Sequence, residues 1–218
     1  MRGIPSLITD IRKKVFTEVA RMAYAGGDFT SAEDLPYKIV PGDQPLHRES
    51  IFLERAIAGE RVRLAMGLDI RPIQTRSLVT EGMDAAAVAE KYYEPPLINI
   101  IPYACHACPT NQYKVTVGCQ NCLAASCQQV CPRGAICIRC GRCANACPYH
   151  AIIHLERPCQ VSCGMDAIGC DEHGKATINQ DKCVACGQCL VSCPFGAIVD
   201  KGQIFQVIQS ILKGDKVI

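Results

Sequence analysis

Residues 183–198 read CVACGQCLVSCPFGAI. The four cysteines are separated by two, two and three residues, and a Pro follows the last. Three Cys on one short loop can hold three corners of a single inorganic cube, with the loop's N–H groups turned toward its sulfides. The remaining corner faces away from the loop, so its ligand must come from a distant segment. A Cys before Pro suits that task, because Pro has no N–H to satisfy and a φ already set for a helical turn. The Ala-Ile that follows fits a short helix packed over the neighbouring cube.

The pattern recurs upstream. Cys137, Cys140, Cys143 and Cys147 repeat the spacing, and Cys119, Cys122, Cys127 and Cys131 vary it by placing four residues between the second and third. Four times the chain writes Cys-(Pro or Gly)-x-x-Ala-Ile, at 131–136, 147–152, 163–168 and 193–198. The repeat ending at Cys163 keeps only Cys159 before it, and Cys105 and Cys108 in CHAC supply its missing pair.

In the bacterial ferredoxin run the fourth Cys ligates the other cluster of a pair. The spacing therefore predicts four ligand sets. They are Cys119, Cys122, Cys127 with Cys147; Cys137, Cys140, Cys143 with Cys131; Cys183, Cys186, Cys189 with Cys163; and Cys105, Cys108, Cys159 with Cys193. These use sixteen of the seventeen cysteines, enough for about four 4Fe–4S clusters. Cys170, in IGCDEHGK, is left over and reads as a bystander in a turn between strands rather than a regulatory thiol. A zinc ribbon of Cys105, Cys108, Cys119 and Cys122 is the alternative, but it strands Cys127 and Cys147. His106 is expected to be a spectator beside Cys105. His150 is expected either to bond a sulfide or to lie on a helix surface.

Composition narrows the context. Asp10 and Arg12 interrupt the place where a secretory h-region would run, and no stretch approaches transmembrane length. The cysteines are thus expected to be thiolate ligands rather than disulfides, in a cytoplasmic protein with no membrane partner. A net charge of +2 without a basic block argues against nucleic acid.

Every Cys falls within residues 105–193. Before them, Leu7, Ile8, Ile11, Val15, Val19 and Met22 predict an amphipathic helix over Ser6–Ala25, stopped at Gly26. A loop with Pro36, Pro41 and Pro45 follows, then a helix over Arg48–Met66 whose charges read as a solvated face, and a shorter one over about Met83–Tyr92. The expected fold is α+β. A helical segment (1–100) precedes two interleaved ferredoxin-like units, 101–158 and 159–199, with Cys105 and Cys108 lent to the second. Residues 200–218 supply a helix and the start of a strand. Each unit is expected to have little conventional core, with the cubes part of it, so the apoprotein is expected to be largely unfolded.

One junction departs from the pattern. Fourteen residues separate Ile168 from Cys183, enough for a hairpin, whereas Ile136 and Cys137 are adjacent. About a dozen residues are expected to be missing there relative to a ferredoxin-like pair.

ACPYHAIIHLERPC (146–159), KCVACGQCLVSCPFGAI (182–198) and DKGQIFQVIQSILKGDKVI (200–218) resemble the electron-transfer half of a monomeric iron-only (FeFe) hydrogenase of group B. MRGIPSLITDIRKKVFTEVARMAY (1–24) and KYYEPPLINIIPYAC (91–105) are similar to that family too. The resemblance implies an anaerobic oxidoreductase. Its clusters would pass electrons between an external ferredoxin, or a similar redox protein, and the H-cluster of a hydrogenase catalytic domain. No Cys follows Cys193, so the H-cluster is expected only in a domain beyond these residues, and no catalytic residue is assigned within them. A stand-alone polyferredoxin or an electron-transfer subunit of another redox complex is the alternative. Arg133, Arg139, Arg142 and Arg157 are candidates either for docking an acidic partner at the first unit or for offsetting cluster charge internally.

Overall fold

The computed structural model describes residues 6–26, 29–86, 95–134 and 140–216. Helix α1 (Leu7–Ala25) starts where the Ser6 hydroxyl accepts the Thr9 N–H and ends at Gly26, φ +65°. Its apolar stripe, Val15, Val19 and Met22, is buried. A 3-10 turn (Phe29–Asp34) and helix α2 (Leu35–Ile39) occupy the Pro-containing stretch read as loop. Pro36 sits in the first turn of α2, where a missing N–H costs nothing. Helix α3 (Ile51–Ala65) begins at Ser50 rather than Arg48. Helix α4 is described over Met83–Ala86; the rest of the helix expected there lies outside the described residues.

Helix α9 (Ile204–Lys213) returns from the far end of the chain to pack on α1. Phe205 and Ile208 complete a core with Val19, Val62 and Met66 that contains no cysteine. The helical part thus has a conventional interior.

The charges of α3 are not a solvated face. Glu54, Glu60, Arg61 and Arg63 are all buried. Arg63 donates to the carbonyls of Asp69, Leu78, Val79 and Glu81. Glu54 accepts the N–H groups of Leu46, His47 and Arg48. Glu60 pairs with Arg71 at 2.6 Å. Satisfied charges can be buried, and here they stitch loops to a helix lying between two cores. Ala58 and Val62 face the cysteine-free core, while Ile57 and Leu64 face a second core built around cysteines.

The strands are short and all antiparallel. β1 (Ile98–Ile100) pairs with β6 (Ile198–Asp200), β2 (Gln112–Val115) with β3 (Ile152–Leu155), and β4 (Ile168–Cys170) with β5 (Ala176–Ile178). The connectivity is nested. The segment closed by β2 and β3 lies, in sequence, between Cys108 and Cys159, inside the segment closed by β1 and β6. We call these the inner and outer segments. The hairpin expected between Ile168 and Cys183 is β4–β5, in the outer segment. The junction at Ile136–Cys137 lies outside the described residues.

Candidate iron-sulfur centres

Three cysteine loops share one backbone feature. In Cys105–Cys108, Cys119–Cys122 and Cys183–Cys186 the residue before the second Cys is left-handed: Ala107 (φ 48°), Asn121 (48°) and Ala185 (53°). After the second Cys of two loops a left-handed glycine, Gly141 or Gly187, caps a short helix. These are α6 (Arg142–Ala146) and α8 (Gln188–Ser192), which carry Cys143 and Cys189. In the variant run the left-handed Ala125 caps α5 (Ser126–Gln129), which carries Cys127. Alanine gains nothing from this conformation and costs about 1–2 kcal/mol there. Such outliers gather where a loop must present its backbone to a ligand. Gly141 is fixed twice over, since a Cβ there would lie 2.6 Å from the Tyr113 hydroxyl.

The Cys-x-x-x-Ala-Ile repeats close with one turn. The N–H of Gly134, His150, Asp166 and Gly196 bonds the carbonyl of Cys131, Cys147, Cys163 and Cys193 respectively, at 3.0–3.2 Å. Gly134, His150, Asp166 and Gly196 are all left-handed. After Cys147, Cys163 and Cys193 that reversal leads the chain into a strand beginning at the Ile (β3, β4, β6) rather than the short helix expected, and the β-branched Ile suits it; Ala135 and Ile136 lie outside the described residues. His150 is therefore a turn residue, exposed and off any helix. The next N–H turns back on the sulfur: Ala151 to Cys147 Sγ at 3.4 Å and Ala167 to Cys163 Sγ at 3.3 Å. Ala176 in β5 does the same for Cys105 Sγ at 3.4 Å.

The outer segment gathers its cysteines around two small cavities. Cys105, Cys108, Cys159 and Cys193 line the first. Cys163, Cys183, Cys186 and Cys189 line the second. Cys159 lies in helix α7 (Pro158–Val161). Among the described residues no three such side chains converge closely enough for a single metal ion; the four cysteines lining each cavity are the donor set a cube requires. Burial pushes the thiols of Cys159 and Cys189 up to about 11 and raises that of Cys108, which also feels Cys105 and Cys193. Thiols held this way must lose protons on binding a metal centre.

In the inner segment Cys143 and Cys147 are buried with Ala151 and Ile152, and Cys127 and Tyr113 pack on them. Cys131 is buried, Cys122 half-buried, and Cys119 and Cys140 exposed. Cys137 lies outside the described residues. Cys105 and Cys108 share their cavity with Cys159 and Cys193, not with Cys119 and Cys122 as a zinc ribbon needs. Cys170 is exposed at the end of β4, and none of the described cysteines forms a disulfide.

One arginine lines the first cavity and two more hold the turn after Cys193. Arg157 was grouped in sequence with the first unit, yet it is buried against this outer site. It donates to the carbonyls of Cys108 (2.7 Å), Gly174 (2.6 Å) and Gly169 (3.3 Å). Arg61 and Arg48, which sequence reasoning did not single out, grip the Cys193 turn from α3 and the loop before it. Arg61 donates to the Gly196 carbonyl, and Arg48 to that of Phe195 at 2.8 Å. Gly196 leaves no room for a side chain, since a Cβ would lie 2.7 Å from Arg61 Nη2. His106 stacks on Phe195, ring centroids 4.0 Å apart, and bonds Arg48.

Comparison with known proteins agrees with this chemistry. Residues 137–153 and 176–199 match the family described as 4Fe-4S binding domain. The chain is also similar to an uncharacterized ferredoxin of Methanocaldococcus jannaschii, 34% identical over 70 residues, which is 26% of this chain and 42% of that protein. It thus spans less than half the length of that relative. No solved structure matches the chain. These findings define a 4Fe–4S protein of mixed helix and small sheets with ferredoxin-like segments, and they support iron-sulfur electron transfer. No described helix is long and apolar enough to cross a membrane.

Proposed function

We propose that the chain relays electrons through about four 4Fe–4S clusters held in two nested ferredoxin-like units. The observation that carries this reading is the pair of outer cavities, each ringed by four cysteines drawn from separate motifs. When bound, such cubes take and release single electrons. In the outer unit Cys105, Cys108, Cys159 and Cys193 hold one, and Cys163, Cys183, Cys186 and Cys189 the other. The crossing of Cys163 and Cys193 between loops fixes the two sites to each other. In the inner unit the sets are Cys119, Cys122, Cys127 with Cys147, and Cys137, Cys140, Cys143 with Cys131. The N–H groups of Ala151, Ala167 and Ala176 bond thiolate sulfur and so stabilise its negative charge.

The finer reading rests on the resemblance of the chain's segments to group B FeFe hydrogenases. There the relay feeds an H-cluster in a following catalytic domain and exchanges electrons with an external ferredoxin. The likeness to a ferredoxin favours a second reading, a polyferredoxin serving a different catalytic partner.

Analysis of protein purified without oxygen tests the relay: about sixteen iron and sixteen sulfide per chain are expected by cysteine ligation of four cubes. About eight of each would remove the cross-ligated outer sites. Hydrogen evolution from reduced ferredoxin by the natural full-length product separates the finer readings. An intact relay without hydrogen would leave the polyferredoxin.

A further inference from the structure

The two outer cavities have the same ligands and different electrostatics. The lining of the Cys163 cavity holds no charged side chain; Ile98, Met165, Ile168, Ile178 and Val184 fill the space between its cysteines. The Cys105 cavity is lined in part by Arg157, buried at 3% exposure. Among the described residues no carboxylate pairs with Arg157. Its three recorded partners are backbone carbonyls, which orient a guanidinium without neutralising it. Its Nε is buried without a hydrogen-bond partner.

Arg61 repeats the pattern from the other side. It is 5% exposed, and its recorded hydrogen bond goes to the Gly196 carbonyl of the Cys193 turn. Asp200 and Cys193 attract Arg61, but both Asp200 oxygens are bonded by Arg12, at 2.9 and 3.0 Å. Burial, with Arg12 and Arg48 close by, lowers the pKa of Arg61 to about 10. A buried cation without its full counter-charge is strongly destabilising, so Arg157 in the cavity wall and Arg61 on the turn after Cys193 point to negative charge at this site.

Building on the relay reading, we propose that Arg61 and Arg157 make the site of Cys105, Cys108, Cys159 and Cys193 the electron sink of the outer unit. A cube with four thiolates carries about −2 when oxidised and about −3 after taking one electron. The two guanidiniums stabilise that added charge in a buried setting where solvent screens little. Among the described residues lining the Cys163 site there is no such cation. One electron therefore passes from the reduced Cys163 site to the oxidised Cys105 site, and outer-unit flow runs toward the end bracketed by Arg48, His106 and Phe195.

The test is an anaerobic redox titration of the cluster-loaded protein followed by electron paramagnetic resonance. A Cys105→Ser variant, altered at that ligand alone, identifies the site's signal. In the wild type the first electron into the outer unit should give the Cys105-site signal. Arg157→Gln should lower that site's reduced-to-oxidised ratio about tenfold at fixed potential, which is 59 mV for one electron. Arg157→Lys should restore most of it, and the Cys163 site should move little. Arg61→Gln, whose contact is a turn carbonyl, should shift the same site in the same direction and stands in if Arg157→Gln does not load. Full iron content with an unmoved midpoint, an equal shift at both sites, or first reduction at the Cys163 site would overturn the inference and leave the relay standing. Absence of the clusters themselves would instead refute the relay.

Discussion

In the outer segment Cys189 and Cys193 are buried among Ile98, Ile101, Ile168 and Ile198, and α3 closes that core with Ile57 and Leu64. In the inner segment the buried cluster is Cys143, Cys147, Ala151 and Ile152, while Val117 and Leu123, beside Cys119 and Cys122, are fully exposed. Both segments use the same left-handed positions and the same closing turn. Motif spacing therefore sets the loop around a metal centre, and the surroundings of the loop decide how dry and how positively charged that centre is. The outer segment borrows its surroundings from the helical part. The inner segment has Tyr113 stacked on its cross-strand partner His154, ring centroids 4.4 Å apart, as its main cover.

Removing the clusters should break this comparison most visibly. With half of its small buried cluster made of cysteines, the inner segment should lose its hydrogen-exchange protection completely, and the outer segment most of it. Helices α1 and α9 should stay protected, because their core contains no cysteine. Exchange mass spectrometry before and after chelation reads this directly. Equally fast exchange in α1 and the inner segment would show that the helical core depends on the clusters after all.

Single substitutions sharpen the assignment within the outer segment. Cys163→Ser should remove or convert one cube, costing up to about four of sixteen iron. Cys170→Ser, seven residues on and exposed at the end of β4, should cost none. Iron loss from both would make Cys170 a ligand and undo the pairing of Cys163 with Cys183, Cys186 and Cys189.

The ion pairs beside the two segments differ in the same way. Glu60, with a side chain 2% exposed, pairs with Arg71 beneath the outer core. Breaking such a pair from one side costs about 3–5 kcal/mol; Glu60→Gln should fall at the low end, because Arg71 is 23% exposed. His154–Glu156 in the inner segment is exposed enough that Glu156→Gln should cost no more than about 1 kcal/mol. Denaturant midpoints of the loaded variants check the order, and a Glu156 effect as large as that of Glu60 would contradict it.

The ligand motifs were readable because ligation by a loop is a local property, carried by spacing alone. The α1 stripe and its Ser6 and Gly26 ends were readable for the same reason. What stayed hidden is non-local. β1 and β6 are three residues each and about a hundred residues apart in sequence, so their pairing, and with it the nesting, leaves no periodic trace. The charges of α3 look like a solvated face until the carbonyls of Asp69, Glu81 and Gly196 come within reach. Arg157 stands close in sequence to the first unit but faces the second. Asn121 and Gly141 hint at left-handed backbone by type; Ala107 and Ala185 do not, because only the wrapped loop demands it of them.

The smallest expected effect concerns what remains of the basic patch near the inner segment. Arg157 is buried and drops out as a docking residue, and Arg139 lies outside the described residues. Arg133 and Arg142 are exposed and flank motifs whose clusters have little cover. Exposed charges alter encounter rates more than stability, and their influence fades with salt over a Debye length of about 10 Å at 0.1 M. Arg133→Gln with Arg142→Gln should therefore slow electron uptake from an acidic ferredoxin severalfold at low salt and flatten its ionic-strength dependence. Cluster potentials should hardly move, since solvent already screens these side chains. That is the opposite signature to Arg157→Gln, which should move a potential without touching the salt dependence. Stopped-flow uptake at several salt concentrations, paired with the redox titration, separates the two. If the double variant shifted an inner-site potential and left uptake unchanged, the arginines would serve the inner clusters rather than a partner, and electrons would have to enter elsewhere.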